Sequence, residues 1–332
     1  MRLFITVILA LLFSAARLEA QKTKTKNTDP ARSATAAPGT PVTSNVKSLL
    51  WEVSGNGLAN PSYVFGTMHL MCTENALLSD SLEYGIAQAT RVYFEIDMDN
   101  MAEMMGLFKY IRMRDGKKLS DLLTAAEYER VKEYFVRNKS ILPLSMMETF
   151  KPYFIASMIS ETRMPCESKN GMEEVILKAV KASKKEVKGL ESIGFQASVF
   201  DSIPYADQAR ELLKTIDSAG VEDSSTAKML SVYTAQDMDG IEKLTVEEEG
   251  GVASFLDLFL YGRNARWIPL IQAAMKEGPT LFAVGAAHLP GKKGVLDLLK
   301  QAGYTVRPMK HRPGTSSKQV AANRYRSTLQ SE

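Results

Sequence analysis

Beyond its first residues the chain has no long apolar run. No later stretch reaches the roughly 20 apolar residues of a spanning helix, so no membrane span is expected in the mature protein. A charge excess is missing too: 41 Lys and Arg against 38 Asp and Glu leave +3 over 332 residues. That is too slight to argue for a nucleic-acid partner, and no basic patch is interleaved with aromatics. Cysteine is scarce, with only Cys72 and Cys166. In an oxidising compartment such a pair is readily a disulfide. The other reading makes Cys72, three residues after His69, a metal thiolate. Histidine is nearly as scarce, at three.

The N-terminus carries an export pattern. Met1-Arg2 is positive, Leu3 to Ala15 is almost wholly apolar, and Leu18-Glu19-Ala20 ends on a small residue before Gln21. That order of charge, short apolar core and small exit predicts a signal peptide over 1–20. With no Cys at the exit, lipid attachment is not expected. The destination is the periplasm or the outside of the cell. Residues 21–45 are Lys, Thr, Asn, Ala, Pro, Gly and Ser, too poor in large apolar groups to offset chain entropy, and predict a flexible linker. One domain is expected over 46–309, followed by a disordered basic tail, 310–332, that includes His311.

Within the domain, strand and helix patterns alternate. Leu50-Trp51-Glu52-Val53, Ser62-Tyr63-Val64-Phe65, Arg91 to Ile96, Glu186 to Leu190, Thr280 to Val284 and Thr305 to Pro308 read as strands. Helical spacing covers Ser79 to Ala89, much of 100–160, Met172 to Ser183, most of 196–271 and Gly294 to Gln301. Thr124-Ala125-Ala126-Glu127 fits a capping box, in which hydroxyl and carboxylate satisfy orphan backbone donors reciprocally. Strands at both ends around a mainly helical middle insertion predict an α/β or α+β fold.

The most informative feature is a near-repeat. Val64-Phe65-Gly66-Thr67-Met68-His69-Leu70 matches Phe282-Ala283-Val284-Gly285-Ala286-Ala287-His288-Leu289: an apolar strand, then Gly, two residues, His and Leu. In open α/β sheets, ligands bind beyond the carboxyl ends of strands, and Gly there permits a sharp turn and close approach. Glu95 closes the run Val92-Tyr93-Phe94, and Glu191 follows Gly189-Leu190. A carboxylate at a buried strand end needs a partner, solvent or a metal. Two His and two Glu are the ingredients of an open site for Mn, Co or Zn, in which bound water is activated and one Glu accepts its proton. Taken singly, each Glu reads more readily as a salt-bridge partner than as a metal ligand or base. Arg263 and Asn264, after an expected helix Phe255 to Tyr261, could reach a substrate carboxylate or orient a Glu; the plainer alternative is a surface Arg beside a core Trp267. The methionines Met98, Met101, Met104 and Met105 suit adaptable packing or a hydrophobic peptide groove.

These residues resemble the TraB/GumN family, which is similar to the Tiki Wnt-cleaving proteases and the TraB/PrgY pheromone-shutdown proteins. The resemblance runs from about Leu50 to Met309. Its landmarks are Leu50-Trp51, Phe65-Gly66-Thr67-Met68-His69, Tyr93-Phe94-Glu95, Gly189-Leu190-Glu191 with Gln196, Arg263-Asn264 with Trp267, and Val284-Gly285-Ala286-Ala287-His288. It implies a fold like that of erythromycin-esterase and ChaN-like proteins, with an internal duplication. It also implies metal-dependent peptidase activity, with His69, His288, Glu95 and Glu191 binding metal or activating water. Arg263 and Asn264 would support the site, and Gln196 would brace it. Gly171-Met172-Glu173 departs from the Gly-aliphatic-Asp of the family, so no role is put on Glu173. The expected function is an exported metal-dependent hydrolase acting on a peptide or protein substrate. The rival is an envelope protein that sequesters a peptide or other ligand without turnover.

Overall fold

The computed structural model describes residues 47–138, 142–162, 164, 166–218, 224–248, 255–312 and 314. The expected signal peptide, the linker and most of the tail lie outside the described residues.

Six strands form one sheet: β1 (Leu50–Ser54), β2 (Ser62–Thr67), β4 (Arg91–Ile96), β6 (Glu186–Glu191), β7 (Thr280–Gly285) and β8 (Thr305–Pro308). Their order is β6-β4-β7-β2-β1-β8. β6, β4, β7 and β2 run parallel, whereas β1 is antiparallel to both β2 and β8. The four parallel strands therefore end at one edge. Two further short strands, β3 (Met71–Cys72) and β5 (Lys169–Asn170), pair with each other away from the main sheet.

Every residue of β2 and of β7 is buried. Such central strands read as continuous apolar runs because helices cover both faces. Alternation along them sorts the side chains between two cores. Tyr63, Phe65, Leu281 and Ala283 join Leu82, Val92, Phe94, Phe154 and Ile176 on one side. Val64, Phe282 and Val284 join Trp51, Trp267, Ile271 and Leu299 on the other. The period of two puts successive residues on opposite faces, so one strand serves both layers. The chain is a mixed α/β protein with a mostly parallel sheet.

The helical insertion begins beyond β4. The Met101–Tyr110 helix is capped by Asn100, whose side chain accepts from the Glu103 N–H. The capping box at Thr124 and Glu127 is present and opens the Ala125–Arg137 helix. Cys72 and Cys166 form a disulfide with Cα atoms 5.7 Å apart.

Two expectations are corrected. His311 is not loose but buried: its Nδ1 lies 2.7 Å from the Ser79 hydroxyl and its ring stands edge-on to Phe65. Packing of one aromatic ring onto the core outweighs the polar character of the residues around it. Arg263 and Asn264 do not follow a helix but lie within one, since a π-helical segment, Asp257–Tyr261, runs straight into the Gly262–Glu277 helix.

Candidate functional site

Each candidate side chain is delivered by a strand end or by the helix that leans over it. Glu95 is the penultimate residue of β4, and Glu191 is the last of β6. His69 stands two residues beyond β2, and His288 closes the short helical turn Ala286–His288 after β7. Arg263 and Asn264 come from the first turn of the Gly262–Glu277 helix. The parallel sheet thus gathers at one edge residues up to 219 positions apart (288 − 69).

The two glycines of the repeat do different work. A Cβ on Gly66 would sit 2.9 Å from Leu289 Cδ1 and 3.1 Å from Ala286 Cα, so this glycine lets the second motif pack onto the first. A Cβ on Gly285 would sit 3.1 Å from Glu95 Oε1, 3.4 Å from His69 Nε2 and 3.6 Å from His288 Cδ2. Gly285 is the point on which those three side chains converge.

His69 is oriented by Glu173, whose Oε1 lies 2.5 Å from Nδ1, both groups being buried. With the carboxylate at Nδ1, the proton belongs there and Nε2 is turned toward Gly285. Burial disfavours the imidazolium, yet the Glu173 charge and hydrogen bond outweigh it and raise the His69 pKa above its usual 6.5. Glu173 is the residue that sequence reasoning missed. Its signals were an acidic side chain two residues after Gly171, where the resembled family carries Asp, and a place in a helix first turn, which is also read as a favourable interaction with the helix dipole. Gly171 itself admits the His69 loop, since a Cβ there would fall 2.5 Å from the His69 carbonyl oxygen.

His288 is held differently. Asn264 Nδ2 donates to the carbonyls of His288 and Lys293, at 3.2 and 2.9 Å, which fixes its amide. Its Oδ1 then accepts from His288 Nδ1 at 2.6 Å, leaving Nε2 as an acceptor. The Trp267 ring lies against it, tilted by 37°, with centroids 4.5 Å apart. Burial in this setting pushes the His288 pKa down to about 3, so the ring is neutral.

Arg263 occupies the middle, 1% exposed. Its Nη2 donates to Glu95 Oε2 and to Glu191 Oε1, each at 2.5 Å, and its Nε to Glu191 Oε1 at 2.9 Å. Nη1 donates to the Phe259 carbonyl at 2.9 Å and approaches His288 Nε2 at 3.2 Å. The guanidinium also lies over the Trp267 ring, 4.9 Å from its centroid. A surface position for this Arg is thereby corrected.

The carboxylates are filled by these donors and a few others. Glu95 Oε1 accepts from the Gly285 N–H at 2.8 Å, and Oε2 from Gln196 Nε2 at 2.9 Å. Burial would raise the Glu95 pKa, but the Arg263 charge reverses that and holds it down at about 2. Glu191 Oε2 takes the Trp267 indole N–H at 3.2 Å. Burial raises the Glu191 pKa in spite of Arg263.

His69, His288 and Glu95 are of the right chemistry for a divalent cation, but the four-residue ligand set including Glu191 does not fit this arrangement. Arg263 N–H groups already take Glu95 Oε2, Glu191 Oε1 and His288 Nε2. Among the described residues no group of three or more His, Cys, Asp or Glu side chains is set to hold a metal ion. Cys72, bonded to Cys166, is no thiolate ligand.

Comparison with known proteins gives the family of the chain. The family model for the TraB/PrgY/gumN family matches residues 49–308. Among curated relatives, Metalloprotease TIKI1 of Homo sapiens is 24% identical, over 83% of this chain and 66% of its own length. Metalloprotease TIKI2 of Danio rerio is 22% identical, over 79% and 61%. A Metalloprotease TIKI homolog of Amphimedon queenslandica is 23% identical, over 78% and 61%. The chain spans less than two thirds of the length of these relatives. No solved structure matches it. With the family model covering the whole sheet and both histidine motifs, the chain belongs to the TraB/PrgY/gumN family.

Proposed function

We propose that this chain is an exported hydrolase that cleaves peptide bonds in a peptide or protein substrate, working at the cluster around Gly285. One observation carries the proposal: His69, backed at Nδ1 by a buried carboxylate, turns Nε2 to the same point as Glu95 and His288. A carboxylate–imidazole pair of this kind orients a base and stabilises the imidazolium it forms. His69 Nε2 is the proton acceptor for a water molecule, and Glu173 stabilises the charge that results. Arg263 keeps Glu95 ionised, and Asn264 keeps the His288 Nε2 lone pair facing the centre.

The relatives named metalloproteases imply a metal, and imidazole and carboxylate groups suit a divalent cation, Mn, Co or Zn. Three of its four candidate ligand groups here, Glu95, Glu191 and His288, are engaged by Arg263, so no step is derived through it. Export to the periplasm or beyond is supported by the Cys72–Cys166 disulfide, which persists in oxidising compartments. Among the described residues no helix is long and apolar enough to cross a membrane. The erythromycin-esterase and ChaN-like fold is the finer structural proposal, supported by two Gly-x-x-His segments following adjacent parallel strands.

One observation favours a second reading, ligand sequestration without turnover. His69, Glu95, Arg263 and His288 are all 2% exposed or less, so substrate reaches them only if the site opens. A peptide-library cleavage screen, with wild type beside His69→Ala and His288→Ala, separates the two. Cleavage by wild type alone supports the hydrolase. Peptide binding without cleavage, kept in both variants, favours sequestration.

A further inference from the structure

We infer that Arg263 holds the place and charge that a divalent cation would take among Glu95, Glu191 and His288, so that guanidinium and cation compete for one set of ligand atoms. The inference rests on the metal dependence in the proposed function only for the identity of the competitor.

Three facts lead to it. Each nitrogen of the guanidinium is committed inside the cluster: Nε to Glu191, Nη1 to Phe259 O and His288 Nε2, Nη2 to both glutamates. No bulk water is there to take over, since Arg263 is 1% exposed. The atoms it engages, two carboxylate oxygens and an imidazole nitrogen with its lone pair free of a proton, are also the atoms a transition-metal ion would choose. A cation at those atoms would face a full positive charge at close range in a weakly polar interior, where like charges repel strongly. Arginine cannot relieve this by losing its proton. Occupancy by metal therefore requires Arg263 to withdraw.

The alternative is a cation seated beside Gly285 on His69, His288 and Glu95 Oε1 with Arg263 unmoved. Removing Arg263 would then leave affinity unchanged or weaken it by loosening Glu95.

The test is chelator-competition titration of the full chain with Mn²⁺, Co²⁺ and Zn²⁺, for wild type, Arg263→Met and Arg263→Lys. Competition predicts that Arg263→Met binds roughly tenfold tighter than wild type or better, whereas Arg263→Lys, which keeps the charge, does not gain. Equal or weaker binding by Arg263→Met overturns the inference. Because two carboxylates would be left buried, Arg263→Met/Glu191→Gln is measured alongside as a charge-compensated variant, with the same criterion. Thermal melting gives an independent readout: added metal should raise the melting temperature of Arg263→Met more than that of wild type. Wild type without affinity beside a binding variant would support competition while removing the metal dependence from the proposed function. Tight wild-type binding unchanged in the variants would do the reverse.

Discussion

His69 Nδ1 lies 2.5 Å from Glu173 Oε1, joining a loop after β2 to the first turn of a helix 104 residues later. That single contact sets which histidine nitrogen faces the cluster. It is supported from both sides by the β3–β5 pair, by the Met172 N–H donating to the Met68 carbonyl at 3.1 Å, and by the disulfide. The first prediction concerns it directly. Glu173→Gln should destabilise the fold by about 1–3 kcal/mol, because a charged partner becomes a neutral one in a buried place. The folded pKa of His69 is raised, so the pair contributes fully below about pH 6.5 and its contribution is lost as pH rises through the folded value. Melting temperatures of wild type and variant should therefore converge as pH rises through that folded value. A gap that does not change with pH would sink the assignment.

The disulfide closes a 94-residue separation. Cys72→Ser/Cys166→Ser should lower stability by about 4–5 kcal/mol on the chain-entropy account, with less if the unfolded state stays compact. Its local consequence is more telling. Amide exchange should quicken over 68–73 and 166–173 before the rest of the sheet. Uniform quickening would mean that the bond does not specifically secure the His69 loop.

Gly66→Ala and Gly285→Ala should separate packing from site geometry. The first forces a methyl group against Leu289 and the backbone of Ala286, and about 1–3 kcal/mol of stability should go. The second directs its methyl group at Glu95 Oε1, with His69 Nε2 next nearest. Its histidine ring resonances should move more than those of Gly66→Ala, as seen by NMR. Equal shifts in the two variants would argue against convergence on Gly285.

His311 offers a test in acid. Burial lowers its pKa to about 4, so between about 6.5 and 4 the unfolded chain binds a proton that the native chain does not. Stability should fall as pH falls through that window, by up to roughly 3 kcal/mol from this group. His311→Asn should flatten the lower half of the stability–pH curve, measured by urea unfolding. An unchanged curve would mean that His311 is not packed against Ser79 and Phe65 in solution.

Much of this protein was legible in one dimension. β2 and β7 announce themselves as apolar runs, because strands covered on both faces need no polar alternation. Each strand-end residue was found from a local rule: a Gly-x-x-His segment or a carboxylate after an apolar run marks the place where a buried strand turns outward. The capping box at Thr124 was equally local, since its partners are three residues apart.

What the sequence could not supply depends on distances across the fold. Glu173 was given no role because it stands where the resembled family carries Asp, and only the β3–β5 pair and the disulfide bring it to His69. Arg263 read as a surface residue or a helper because one long charged side chain in a helix carries no mark of its burial. Tertiary packing alone drew it under the sheet edge, where Glu95 and Glu191 balance its charge. His311 sat among basic, polar neighbours, yet its ring packs against Phe65. Local pattern determined the strands, their ends and the candidate chemistry. Long-range packing decided which groups touch, because pairing energy in a buried site depends on distance in space and not on separation along the chain.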